Sequence, residues 1–151
     1  MRSFRTVVLI AVAVAIAGAC RGSTSPSPPL DLTGAWSGML GQPLSGSALR
    51  MTWSASQTGA TVSGPATLVK PALNVPAAGT MTGTLVGNQL MLTYSVPAGG
   101  VPVYLSCTIA GSGSATASSQ TISGSLQTTF TNCLGSGLET PESAQLTLTR
   151  Q

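Results

Sequence analysis

Histidine is absent from this 151-residue chain, and only three of its residues carry a carboxylate. Catalysis by a general base or an activated nucleophile needs a group that titrates near neutrality, or a base beside a hydroxyl or thiol. Asp31 stands alone at the start of the folded part, while Glu139 and Glu142 flank Pro141 in an expected turn and read as solvated loop charges. No C-x-x-C pair and no carboxylate cluster of calcium-loop spacing occurs, so neither a metal nor a cofactor is expected. Lys70, just before Pro71 at a strand end, reads as a solubilising charge, and the many Ser and Thr read as surface hydroxyls. An enzyme is not expected.

Charge is scarce throughout, at 6% of residues. Once Arg2 and Arg5 leave with the N-terminal segment described below, four cations (Arg21, Arg50, Lys70 and Arg150) face three carboxylates, a net charge of +1. So weak a field does not steer a polyanion, and no basic run with interleaved aromatics exists, which argues against nucleic acid as a partner. Aromatics make up only 4% of the chain. Most of them (Trp36, Trp53, Tyr94 and Phe130 among them) fall on the inward register of the strands below and read as core.

Long apolar runs are also missing, with one exception. Met1–Arg5 is a short cationic head, Val7 to Gly18 is an unbroken run of Val, Leu, Ile and Ala closed by one Gly, and the composition turns polar after Cys20. The run is too short to cross a bilayer comfortably and reads as the apolar region of an export signal. The Ala17-Gly18-Ala19-Cys20 sequence resembles the lipobox of bacterial lipoproteins, with Ala17 where that family usually places Leu. The resemblance implies cleavage after residue 19 and acylation of Cys20, which anchors the mature protein to a membrane of the cell envelope, on the outer membrane or the periplasmic face. The same residues fit an A-x-A cleavage site, which would release a soluble periplasmic or secreted protein. Residues 20–29, with Ser23-Thr-Ser-Pro-Ser-Pro-Pro29, form a tether that favours extended polyproline conformers. Residues 30–151 make one domain.

That domain reads as all-β. Apolar residues recur at every second position in short runs separated by Gly, Pro, Ser and Asn, and no window offers a helical period. The inward sets begin at Leu32, Leu49, Val62, Met81, Leu90, Val103, Ile122 and Ala144, which gives about eight strands. Turn signals fall at Thr58-Gly59, Gly87-Asn88, Ala98-Gly99-Gly100 and over Gly111–Ser119; Gly87-Asn88 between Leu85 and Leu90 is the strongest hairpin signal. Short links between sequential strands predict an up-and-down antiparallel barrel, with a β-sandwich as the alternative. Gly64, Gly83 and Gly124, on inward registers, suit sharp strand bending as a small barrel closes.

Leu32-Thr-Gly-Ala-Trp36 resembles the opening strand of avidins and contains the Gly-x-Trp of lipocalins, and Thr147-Leu-Thr-Arg150 is similar to an avidin-type closing strand. The resemblance to these calycin barrels implies that Gly34, Trp36 and Arg150 meet where the barrel closes, with the basic residue across the indole. It does not extend to ligand residues, because the polar side chains and later tryptophans with which avidins hold biotin have no counterpart. In outline the chain also resembles lysozyme-inhibitor lipoproteins and periplasmic metalloprotease inhibitors, and Gly111-Ser-Gly-Ser114 is loosely similar to an inhibitory loop of the former. With Cys20 acylated, Cys107 and Cys133 are left in an oxidising compartment and are expected to pair. The expected function is that of a non-enzymatic, lipid-anchored envelope protein whose barrel binds a protein partner or a small apolar ligand. The alternatives are an inhibitor of an envelope-directed hydrolase and a purely structural lipoprotein.

Overall fold

The computed structural model describes residues 29–42, 47–72, 74–98, 108–131 and 141–151. They form eight antiparallel strands, β1 (Gly34–Gln42), β2 (Ser47–Thr58), β3 (Thr61–Lys70), β4 (Val75–Val86), β5 (Gln89–Val96), β6 (Thr108–Ala117), β7 (Thr121–Thr131) and β8 (Glu142–Arg150). Each strand pairs with the next, and β8 returns to pair with β1, so the sheet is a closed up-and-down barrel with no free edge. This architecture is compatible with a calycin-like fold. The alternation that builds it is plainest in β5, where Leu90, Leu92, Tyr94 and Val96 are buried and Gln89, Met91, Thr93 and Ser95 are exposed. Trp36, Trp53, Met51, Met81 and the leucines of β5, β7 and β8 fill the interior.

Two of the connections are tight two-residue turns. Val86 pairs with Gln89 around Gly87-Asn88, and Gly87 takes a φ of +62° while Asn88 does not turn left-handed, the pattern of a type II′ hairpin. Pro65 lies inside β3, where it offers no N–H to the ladder. The barrel tolerates it because β2 and β3 interrupt their pairing there, between Trp53↔Ala66 and Ser56↔Ser63. Gly64 and Gly124 sit where neighbouring strands crowd: a Cβ on Gly64 would lie 1.8 Å from the Ser54 carbonyl oxygen, and one on Gly124 would lie 2.2 Å from that of Ser114.

One expectation fails at the sixth strand. Gly111–Ser119 reads as turn and linker from sequence, yet Gly111 to Ala117 lie within β6. The alternation is present but muted, because the inward residues are Gly111, Gly113, Ala115 and Ala117 and the outward ones Ser112, Ser114 and Thr116. No large apolar side chain marks the inner face, since neighbouring strands supply the bulk: a Cβ on Gly111 would lie 2.1 Å from the Tyr94 ring, and one on Gly113 would lie 3.0 Å from a Leu126 methyl. Gly111-Ser-Gly-Ser114 is therefore not a protruding loop. Of the expected strand over 103–109, only its last two residues lie among the described ones.

The seam between first and last strands joins Trp36 to Arg150 in register, and the guanidinium carbon stands 4.8 Å from the centroid of the indole. Trp36 is 1% exposed, so its truncation empties the end of the core. Trp36→Ala is expected to cost about 3–5 kcal/mol. Arg150→Ala should cost measurably less in that background than in the wild type, by on the order of 1 kcal/mol for the lost ring contact. Urea denaturation of the four proteins of the cycle measures this coupling, and simple additivity would mean that the contact contributes nothing.

Candidate functional site

The two ends of the barrel differ in how their polar groups are satisfied. At one end lie the short turns 59–60, 87–88 and 118–120, stitched to one another by backbone hydrogen bonds from Leu85 to Ala60, Ala117 to Asn88 and Arg150 to Gln120. Across this end runs the extended segment preceding β1. Its four successive carbonyls each accept a side-chain hydrogen bond: Leu30 from Gln57 Nε2 (3.0 Å), Asp31 from Arg150 Nη2 (2.6 Å), Leu32 from Trp36 Nε1 (2.8 Å) and Thr33 from Arg150 Nη1 (2.7 Å). Gln57 Oε1 accepts from the Leu32 N–H, and Arg150 Nε donates to the Ser119 carbonyl in the nearest turn. A segment outside the sheet thus has its acceptors met without water, and Leu32 is fully buried beneath it as a plug.

Gly34 makes this approach feasible. Its φ of +138° is a conformation that side-chain-bearing residues rarely adopt, and a Cβ there would come within 3.1 Å of Arg150 Nη1. The structure therefore brings the three residues of the expected closure together. Asp31, exposed beside them, accepts the Thr33 N–H at 2.8 Å. That bond, then the Thr33 hydroxyl and, to a smaller degree, the Arg150 charge, hold its carboxyl below the usual range.

The opposite end bears the connections that follow β1, β3, β5 and β7. One rung of the sheet just inside it is polar. Tyr94 of β5 pairs with Gly111 of β6, Gly111 with Thr128 of β7, and Thr128 with Glu142 of β8, all with buried, inward registers. Because Gly111 has no side chain, the Tyr94 ring lies across it and the phenol reaches Thr128 Oγ1 at 2.7 Å. Thr128 is fully buried and Tyr94 is 3% exposed.

Glu142 ends the rung. Expected to be a solvated loop charge, it is instead the first residue of β8, 7% exposed, and its Oε2 has no hydrogen-bond partner. The reading failed because Pro141 signals a turn, whereas β8 begins at the very next residue. Trp53 Nε1 is the other buried side-chain atom without a partner among the described residues, a cost on the order of 1–3 kcal/mol. Sequence reasoning also missed Thr128, an inward position passed over because it is polar, and Gln57, whose two-sided amide no periodicity reveals.

On the outer face, a shallow cleft of about 450 Å³ lies over β3 to β6, lined by Thr61, Thr82, Thr84, Met91, Thr93 and Ser112. Its hydroxyls are partly self-satisfied, Thr82 with Thr93 at 2.8 Å, and it contains no charged group. No cluster of three or more His, Cys, Asp and Glu forms among the described residues. Cys20, Cys107, Cys133 and Glu139, with the signal and most of the tether, lie outside the described residues.

Burial pushes the Tyr94 phenol up to about 12, an effect only partly offset by its bond to Thr128. The unfolded chain ionises near pH 10, so the folded state holds this proton more tightly. The contribution is complete below pH 10 and is lost as the pH rises through 12. Chemical denaturation between pH 9 and pH 11.5 should show the wild type losing stability relative to Tyr94→Phe, and the difference in absorbance at 295 nm should titrate well above a free phenol. Equal pH profiles would place the phenol in contact with water. Comparison with protein-family models, with curated proteins and with solved structures found no match to this chain.

Proposed function

We propose that this chain is a non-enzymatic, lipid-anchored protein of the cell envelope whose calycin-like barrel binds through the end opposite its N-terminal plug. The observation that carries this reading is the asymmetry of the two ends. Residues 30–33 close one end and tie all four of their carbonyls; a tether formed by residues 20–29 would leave from that sealed end. An anchor at Cys20 then holds the sealed end toward the membrane and turns the loop-bearing end away from it. A polyproline-like tether spans about 3 Å per residue, enough to hold the barrel a few nanometres clear of the bilayer. The interior near the plug is occupied by Trp36, Trp53 and Leu32, which favours contact with a protein partner or a small ligand at the far end over a deep cavity.

Two experiments test this. Cys20→Ser should move the protein from the membrane fraction to the soluble fraction, and a variant that stays in the membrane would refute the lipid anchor. Photo-crosslinkers placed at exposed Ala72 and Ala98, near the loop-bearing end, should capture an envelope component, while those at Ala60 and Asn88 should not. Labelling confined to the turn positions would reverse the orientation.

Export also bears on the cysteines. The last rung of β6 and β7 pairs Thr108 with Thr131; Cys107 immediately precedes Thr108 in the sequence and Cys133 follows Thr131 by two residues. We read them as a disulfide at the loop-bearing end, contributing about 3 kcal/mol by restricting the unfolded chain. Peptide mapping without reductant should recover them linked, and free thiols at both positions would exclude the bond.

A further inference from the structure

We propose that the cleft on the outer wall over β3 to β6 is a binding site for an uncharged saccharide. None of its lining residues belongs to the loop-bearing connections, so it stands whether or not the barrel binds through that end. The lining comes from three adjacent rows of the sheet. Thr82, Thr93 and Ser112 stand in register on one row, with Thr82 and Thr93 joined at 2.8 Å. Thr61, Thr84 and Met91 stand on another. The row between them is Gly83, Leu92 and Gly113, and it offers the cleft only backbone, because the glycines have no side chain and Leu92 is buried on the inward register. The two outward rows are about 6.7 Å apart along the strands. At about 450 Å³ the cleft is within the range of small-molecule sites.

The chemistry of the lining selects the ligand. Among the described strand residues, Arg50 of β2 is the single charge on an outward register, and it is not in the cleft. Charged residues make up about 25–35% of a well-solvated surface, whereas this wall is built almost wholly of Thr, Ser and Gln. An ionised ligand would give up hydration here with no counter-charge in return. A purely apolar one would cover hydroxyls that need partners. A sugar does neither. The bonded Thr82 and Thr93 hydroxyls still have a proton to donate and lone pairs to accept with, and holding each other fixes where these are offered. Apolar contact is also at hand: Met91 and Val86, two of the three large hydrophobic side chains exposed among the described residues, flank Thr84, one as its register partner and the other two residues along the same strand. A pyranose carries hydroxyls around its edge and C–H groups on its faces, which is the complement of hydroxyl rows beside a thioether.

Titration of the full chain, in a detergent without a sugar headgroup, with methyl β-glucoside, methyl β-glucuronide and cellobiose tests this by saturation-transfer NMR. The glucoside should bind saturably, and the glucuronide at least about threefold more weakly. Cellobiose should bind more tightly than the glucoside if the natural ligand is a glycan chain, and equally if it is a free sugar. Thr93→Val removes the middle hydroxyl of its row at a position where Val suits a strand, and should weaken the glucoside about fivefold without lowering the melting temperature. Ser112→Arg should abolish binding. Ser123→Val, outward on β7 and outside the cleft, should leave it unchanged. The proposal is overturned if no saturable sugar binding occurs up to about 200 mM, if the glucuronide binds as tightly as the glucoside, or if Ser123→Val weakens binding as much as Thr93→Val. Should Thr93→Val fail to fold, Thr84→Val decides in its place. A second copy of the chain is the competing occupant of this wall: sedimentation would then show a dimer that Ser112→Arg dissociates and sugars leave intact, which also overturns the proposal.

Discussion

The structure depends on one guanidinium. Arg150 lies at the end of the last strand, stacks its charge 4.8 Å from the Trp36 ring of the first, and donates to the carbonyls of Asp31, Thr33 and Ser119. A lysine could not do this, because its point charge lacks the planar fork that directs three bonds in fixed directions while presenting a face to an indole. Closing an eight-stranded sheet demands that its two ends find each other in one register, and here the seam is marked by an interaction available only in that register. The same side chain folds the preceding segment across the barrel. Closure and plugging are therefore one event, and they set the end of the barrel at which residues 30–33 enter the sheet.

Much of this was legible in the sequence, and for a physical reason. A strand half-buried in a barrel alternates with a period of two, and seven of the eight strands carry that alternation on large apolar residues. Trp36 and Arg150 were legible as a pair only through resemblance, because nothing in spacing relates positions so far apart. β6 was hidden because its inner face is Gly and Ala: the alternation concerns volume, and volume is shared with Tyr94 and Leu126 on the two neighbouring strands. Glu142 and Thr128 were hidden because periodicity treats a polar residue as evidence against burial, yet the register of β7 with β8 places both inside. Gln57 was beyond reach for another reason, since its partners Leu30, Leu32 and Gly59 meet only after the plug has folded over.

The glycines of β6 are best understood together with what crosses them. A barrel of eight strands has an interior just wide enough for side chains to fill, so a large residue on one strand requires a small one on its neighbour. Tyr94 is long enough to span the width of β6 only because Gly111 offers no Cβ, and it is this reach that joins its phenol to Thr128 two strands away. The apparent low complexity of Gly111–Ala117 is thus the complement of a specific aromatic.

Polar groups inside a small barrel must find partners, and the two ends answer that demand differently. At the plugged end, four carbonyls and the donors of Gln57, Trp36 and Arg150 are matched among themselves, leaving no vacancy for a guest. At the loop-bearing end, the row that starts with a satisfied phenol and hydroxyl finishes on a carboxylate oxygen with no partner. Trp53 Nε1 shows that an orphan in the core is tolerable when it is neutral, because its cost is modest. The orphaned Oε2 of Glu142 sits at the register position where Thr128 of β7 meets the first residue of β8, so the polar row of this end is satisfied at its Tyr94 side and not at its β8 side.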